Sequence, residues 1–417
     1  MLKAWFSRPL YLQIFVCIII GVLIGLFAKP VVPFINPIGV IFLRLLRMLI
    51  VPLTFLTLIS GVLSMGDVKS LRDIGLKIVG IFVLTSIFAA SLGTVFGLIF
   101  RPGSEVIGLM ESAETTNAAA SFSFVDNIIS WFPTNIVQSM ATDNMLQIIF
   151  FAVFAGCILL LIGEERAPTL YKVVNEGTSL MIRMTDIVMN IAPYGIMALV
   201  ADMTASLGSA LLKEVVKFIA VEYLALACLL VVLYPILLKV LAGLNPIRFF
   251  KGALPAMLVA ASTTSSAATL PVSMRCAGEN LGIPEKIYGF GLPLGATINM
   301  NGVAVYFGLV SVFASNLYNL PITFTSLFQF VFLGLILSMG AAGVKGGAIV
   351  MSTILLQTLD MPLTIMPILA AINPIIDIGH TTLNVTGDIM TSTVVASRMD
   401  MLDKDVYDGK KVAAEFA

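Results

Sequence analysis

Five polar residues near the carboxyl end, Asp377, His380, Thr381, Asn384 and Asp388, interrupt an otherwise apolar run. Wound into a helix at about 100° per residue, all five fall on one face. Charges in a membrane-like environment cost several kcal/mol unless they are paired or bind something. No fixed basic residue near these segments balances the two carboxylates. The chemistry this row suggests is cation capture, with mobile cations or the ammonium of a ligand supplying the missing positive charge. A purely structural stripe, paired with other helices, is the competing reading.

Catalysis fits the same residues less well. Gly387-Asp388 superficially suggests an intramembrane aspartyl protease, whose two carboxylates must lie within a few ångströms. Asp377 and Asp388 are eleven residues apart, roughly 16 Å along one helix. A serine protease would need His380 beside Ser265 or Ser266, and no nucleophile-elbow pattern surrounds those serines. With a single histidine in the chain, zinc sites start at a disadvantage. The four cysteines, Cys17, Cys157, Cys228 and Cys276, are far apart and read as small core hydrophobes.

The elements that must position this row are membrane helices. Of 417 residues, 59% are hydrophobic and only 12% charged, with a mean hydropathy of +1.02. So few charges cannot cover a water-soluble surface, so lipid is the solvent for most of the outside. Lys plus Arg and Asp plus Glu balance at 24 each, which removes a basic groove and nucleic acid as a partner. Runs of about 20 apolar residues, enough to cross a bilayer, lie near Leu10–Ala28, Ile38–Leu63, Ile74–Phe100, Met145–Ile162, Leu180–Ala205 and Phe218–Leu241. The first follows Met1–Arg8 without a small-residue cleavage site and reads as a span, not a signal peptide. The segment between the third and fourth runs holds Glu105, Glu111, Glu114, Asp126 and Asp143 against Arg101, which places it outside. The amino terminus (Lys3, Arg8) and the links carrying Lys69, Arg72 and Lys77, and Lys239, Arg248 and Lys251, are basic and belong inside.

The last 170 or so residues behave differently. Ser262-Thr263-Thr264-Ser265-Ser266 sits between short apolar arms, and Ser338 to Gly347 sits between longer ones. Each unit reads as a re-entrant helical hairpin with a polar tip. Each is followed by a run broken once, at Asn299-Met300-Asn301-Gly302 and again at Asn384-Val385-Thr386-Gly387-Asp388. Hairpin and broken helix, twice and in opposite orientation, is an inverted repeat that places a site near the bilayer midplane. Unwound backbone there must be covered by protein or face a water-filled cavity.

At these residues the sequence closely resembles the glutamate transporter homologue family, the dicarboxylate/amino acid:cation symporters. The likeness covers nearly the whole chain. It rests on Arg44–Arg47 in the second span, Thr85-Ser86 in the third, and Ser265-Ser266 followed by Thr269-Leu270-Pro271. It continues through Pro293-Leu294-Gly295-Ala296-Thr297-Ile298-Asn299-Met300 to Asn384-Val385-Thr386-Gly387-Asp388. It implies an all-α polytopic membrane protein with eight transmembrane segments, two re-entrant helical hairpins and inverted repeats, working as an elevator-type transporter. It implies a homotrimer in the cell membrane, multi-pass, with both termini cytoplasmic. Residues 1–73 and 102–205 would form a scaffold, and 74–101 and 206–417 the moving transport domain. The implied activity is secondary active transport of aspartate, glutamate or a related dicarboxylate, with a neutral amino acid carrier or exchanger as the alternative.

The resemblance also implies roles for residues. Asp377 matches the position holding a substrate amino group. Ser265, Ser266, Ala341, Gly343, His380, Thr381 and Asn384 match substrate-facing positions. Asn299, Asn384 and Asp388 match one sodium site, Thr297, Ser338, Met339 and Ala341 a second, and Thr85, Ser86 and Asn301, with Asn299, a third. No cofactor is required, and the coupled ion is sodium or a proton. Departures from the family pattern bear on that choice. Asn301 stands where an aspartate is common, so the third site lacks its carboxylate, and a dehydrated cation without an anionic ligand is held weakly. Asn373 replaces a carboxylate one turn before Asp377 in archaeal relatives. His380 occupies the place of an arginine in members taking acidic substrates, and Thr264 leaves the alternative arginine position neutral. Lys345 replaces a proline in the second tip, and Ala341 a threonine. Weakened sodium coupling is the expectation, with Lys345 either a surrogate cation or a solvated edge residue. His380 would either bind a substrate carboxylate when protonated or select a smaller, uncharged substrate.

Overall fold

In the computed structural model the described residues are 10–63, 68–106, 129, 132–142, 144–341 and 346–410, and among them every regular element is a helix. Lipid offers no hydrogen bonds, so an apolar chain must satisfy its backbone internally, and helices do so locally. The first three are α1 (Leu10–Phe27), α2 (Val32–Leu63) and α3 (Val68–Phe100). Next come α4 (Met145–Ile162), α5 (Pro168–Asn190) and α6 (Ala192–Cys228). A π-helical turn, Leu229–Leu233, leads into α7 (Tyr234–Ala242), which ends on Gly243 with a φ of 66°.

The expected fifth span, Leu180–Ala205, is corrected here. The chain breaks at Ile191, and α6 runs unbroken from Ala192 past Ala205 into the expected sixth span. Pro193 supplies the reason. It lacks an N–H and its fixed φ suits a first helical turn, whereas deeper inside it would clash with a carbonyl one turn back. The division placed between residues 205 and 206 therefore falls within a helix.

The carboxyl half continues with α8 (Pro246–Thr263), α9 (Ser266–Arg275), α10 (Glu285–Ile298) and α11 (Asn301–Leu317). It closes with α12 (Phe324–Met339), α13 (Gly347–Thr358) and α14 (Met366–Arg398). The break between α10 and α11 falls at Asn299-Met300, as the sequence predicts. The matching break expected at Asn384–Asp388 does not exist, because α14 is one continuous helix of 33 residues. Thr386 Oγ1 donates to the Thr382 carbonyl at 2.6 Å, so that hydroxyl is absorbed within the helix. A lone helical glycine such as Gly387 costs only about 1 kcal/mol. Here it is needed, since a Cβ would run into the Tyr234 hydroxyl.

Helix α14 lies at the centre of the carboxyl half, packed by α3, α6 to α11 and α13. In the other group, α2 packs on α4, α5 and α6, and α1 on α6. Helices α3 and α11 approach backbone to backbone. A Cβ at Gly93 would meet the Val305 carbonyl, and one at Gly308 the Ala90 carbonyl. Small residues permit such contacts where lipid gives no hydrophobic driving force. Among the described residues, Asp73–Phe100, Leu212–Ala242, Glu285–Leu317 and Leu363–Arg398 are long and apolar enough to cross a membrane. Shorter apolar helices include Gln147–Ile162, Phe324–Met339 and Gly347–Thr358.

Candidate substrate and ion site

The polar run between α8 and α9 folds as its residue types dictate. Thr264 takes a left-handed conformation, with a φ of 49°, and stops α8. Ser265 is extended, and its hydroxyl accepts from the Ala268 N–H at 3.3 Å, capping α9. Serine is favoured there because its oxygen satisfies one of the free N–H groups at a helix start. Thr269 Oγ1 donates to the Ser265 carbonyl at 2.8 Å and meets Thr263 Oγ1 at 3.1 Å, which ties the tip together. Ser266 is buried and Ser265 half-buried. Both α8 and α9 pack on α14, the helix that carries the acidic row.

The second tip follows the same logic. α12 opens with a capping box of Thr323 and Ser326 and ends at Met339. Gly346 is left-handed, with a φ of 79°, and caps α13. Gly347 lies so close to the Ala341 carbonyl that no Cβ fits between them. Ser338 donates to the Leu335 carbonyl at 2.8 Å and Thr297 to the Pro293 carbonyl at 3.3 Å, so both hydroxyl oxygens keep lone pairs for an incoming cation. Met339 ends α12 and Ala341 is buried just beyond it. Gly343 and Lys345 lie outside the described residues.

Behind these tips the break between α10 and α11 meets α14. Asn299 Nδ2 donates to Asp388 Oδ1 at 2.8 Å, both residues being buried. Gly295 permits this, because a Cβ there would occupy the Asp388 carboxylate. Asn299 Oδ1 has no hydrogen-bond partner among the described residues, and a buried oxygen left so costs on the order of 1–3 kcal/mol. An unpartnered amide oxygen beside a carboxylate is a donor set for a hard cation such as sodium. Of the three residues expected at the first ion site, Asn299 and Asp388 are brought together with oxygen atoms suited to such an ion. Asn384 is used differently: its Oδ1 accepts the Gly302 N–H at 2.7 Å, and its Nδ2 meets Met300 Sδ at 3.2 Å. It splints the break rather than facing Asp388.

The third group is brought together and filled by its own hydrogen bonds. Ser86 Oγ donates to Asn301 Oδ1 at 2.9 Å. Asn301 Nδ2 donates to Thr85 Oγ1 at 3.2 Å and to the Tyr234 hydroxyl at 3.0 Å. With the amide so oriented, its hydrogens point where a cation would have to sit. These residues do not fit a sodium ion in this arrangement.

The row on α14 divides between neighbours. Asp377 and Thr381 are buried, and Asp377 lies near Tyr223 of α6 and Tyr306 of α11. His380 turns to α6, where its Nε2 lies 2.8 Å from Glu222 Oε1, both side chains fully buried. The Tyr306 ring packs beside it, with centroids 5.4 Å apart. Glu222 is a buried partner of this row that sequence reasoning missed. Its signal was present, a lone carboxylate inside the apolar run Phe218–Leu241.

Buried oxygen-donor groups among apolar helices suit a membrane transporter for polar solutes. Comparison with known proteins makes this specific. Residues 10–398 match the profile of the Sodium:dicarboxylate symporter family, and the chain belongs to that family of secondary transporters. It is 30% identical over 395 residues to the proton/sodium-glutamate symport protein of Bacillus subtilis (strain 168), covering 92% of this chain and 91% of that one. It is 30% identical over 412 residues to the proton/glutamate-aspartate symporter of Escherichia coli (strain K12), covering 94% and 93%. C4-dicarboxylate transport protein 1 of Ralstonia nicotianae is 28% identical over 410 residues, covering 97% and 95%.

Proposed function

We propose that this protein carries an acidic amino acid, aspartate or glutamate, or a related dicarboxylate across the cell membrane by an elevator movement, coupled to sodium or protons. Asp377 carries the reading. A buried carboxylate on α14, the helix on which serine-capped α9 packs, offers a partner for an ammonium. The N–H groups at that helix start suit a carboxylate, so the two helices together could take both ends of an α-amino acid. The names of the relatives, glutamate, glutamate-aspartate and C4-dicarboxylate carriers, agree with that class. In this reading α8–α9 and α12–α13 are re-entrant hairpins. They move with α3, α7, α10, α11 and α14 as the transport domain, α1, α2, α4 and α5 form the scaffold of a homotrimer, and both termini are cytoplasmic. The two packing groups around α14 and α2 support the division. Sodium coupling rests on Asp388 with Asn299 and on the second tip with Thr297, while the group around Asn301 contributes no ion.

One observation favours a second reading, a neutral amino acid carrier: His380 Nε2 is already held by Glu222. Uptake of radiolabelled aspartate, succinate and serine into proteoliposomes, under separate sodium and proton gradients, decides between them. Aspartate uptake abolished by Asp377→Asn while succinate uptake survives is the expected pattern. Serine uptake alone would replace the first reading with the second.

A further inference from the structure

We propose that Glu222 and His380 form the site of a coupled proton, taken up when an anionic substrate enters beside Asp377 and released when it leaves. This rests on the anionic-substrate reading above and assigns its coupling to two named side chains.

The argument is one of buried charge. Glu222 and His380 touch at 2.8 Å with both side chains fully buried, and no Lys or Arg is paired with either among the described residues. Groups facing them are Tyr223 on α6, Tyr306 on α11 and Asp377 one turn earlier on α14. Tyr223 donates to the Ile375 carbonyl at 2.6 Å. Ser352 of α13 donates to the Tyr306 hydroxyl at 3.1 Å and brings no charge. With one proton between them, the pair is neutral overall, whether as acid and imidazole or as carboxylate and imidazolium. Removing that proton leaves a buried anion, and adding a second leaves a buried cation, either of which is costly unless compensated.

An anionic substrate supplies that compensation. A dicarboxylate or aspartate adds negative charge next to Asp377, and the least costly answer is an imidazolium on His380 with Glu222 protonated. The step balances from carboxylate and imidazolium: one O–H bond of a hydronium breaks, an O–H bond forms on Glu222, water leaves, and the imidazolium keeps both N–H bonds. Two further atoms point the same way. Glu222 Oε2 and His380 Nδ1 are buried without hydrogen-bond partners among the described residues. Nδ1 is the ring nitrogen on the side away from Glu222, so it is placed to donate to something other than that carboxylate. Asn373, one turn before Asp377, is also fully buried with both amide atoms unpartnered. Orphans of this kind are rare in native interiors, and each is a reason to look for a ligand.

Titration calorimetry of the purified full-length protein with aspartate, in buffers of different ionisation enthalpy, reads the proton directly. About one proton should be absorbed per aspartate at alkaline pH, with affinity falling about tenfold per pH unit there. Glu222→Gln, which keeps the shape and cannot titrate, should flatten that dependence. Serine, which has no second carboxylate, should bind without proton uptake, a comparison that needs no variant. Equal proton uptake with serine, a flat profile for aspartate in the unaltered protein, or an unchanged slope in Glu222→Gln overturns the assignment. Failure to bind either aspartate or succinate would instead sink the substrate reading and this inference with it.

Discussion

Changing Asn301 to aspartate should make stability depend more steeply on sodium than it does in the parent. Asn301 makes three buried hydrogen bonds, accepting from Ser86 at 2.9 Å and donating to Thr85 at 3.2 Å and to Tyr234 at 3.0 Å. Aspartate keeps the first and replaces both donors with acceptors. Thr85 has its hydroxyl directed to the Ile81 and Phe82 carbonyls, each 3.0 Å away, and Tyr234 donates to the Leu383 carbonyl at 3.3 Å. Neither hydroxyl answers the new carboxylate without releasing a backbone carbonyl. An uncompensated buried charge of this kind costs about 3–5 kcal/mol. A sodium ion bound between the carboxylate, Thr85 and Ser86 would return about 2.7 kcal/mol at a hundred times its dissociation constant. Thermal unfolding in detergent, with sodium chloride against choline chloride, measures both numbers. N301D should melt well below the parent in choline and regain much of the difference in sodium. If N301D matches the parent in choline, or its sodium increment is no larger, then Asn301 does not keep that site closed.

Three further outcomes follow from close approaches and caps. Gly93→Ala forces a methyl group into the Val305 carbonyl, so overpacking of about 1–3 kcal/mol should lower the melting temperature with little change in sodium response. Gly347→Ala displaces the Ala341 carbonyl; its effect should appear in the apparent KM for the coupling ion more than in the melting temperature, and the reverse ranking would remove Ala341 from the ion site. Ser265→Ala deletes the cap on α9, worth about 1 kcal/mol. Substrate affinity measured by calorimetry should fall by more than that alone accounts for if the hydroxyl also touches substrate.

Much of the fold could be read from runs and their punctuation. The interruptions between α8 and α9 and between α12 and α13 fall within the polar runs Ser262–Ser266 and Ser338–Gly347, because helix ends are set by local chemistry such as a serine cap or a left-handed glycine. Pro193 carried the same kind of signal, but it lies inside an apolar stretch that hydropathy joins into one span, and hydropathy does not register a missing N–H. The opposite error came at Asn384–Asp388. There the residue types announce a break, and α14 continues because each polar group finds a partner around an otherwise regular helix. Asn384 reaches Gly302, Asp388 reaches Asn299, and Thr386 bonds its own helix. The sequence pattern Asn-x-x-Gly recurs, yet only at Asn299 does the chain need to turn aside to let a carboxylate approach.

The site was legible as a row of residue types and not as a set of pairings, and the difference decides its chemistry. Taken alone on α14, Asp377, His380 and Asp388 leave two carboxylates short of positive charge. Adding Glu222, which sits 158 residues earlier in the chain, raises the count of acids and gives the histidine a partner. Nothing in the local spacing of either residue reveals this contact, because it is set by how α6 crosses α14. Once it is known, the roles separate. His380 ceases to be a free cation awaiting a substrate and becomes half of a pair whose proton count can change. In the proposed function Asp377 is assigned to substrate, and Asp388, whose partner Asn299 keeps an unpartnered amide oxygen, to an inorganic cation. Placing a carboxylate at Asn301 and removing one at Glu222 change the buried charge in opposite senses, so N301D should steepen the dependence on sodium and Glu222→Gln should flatten the dependence on protons.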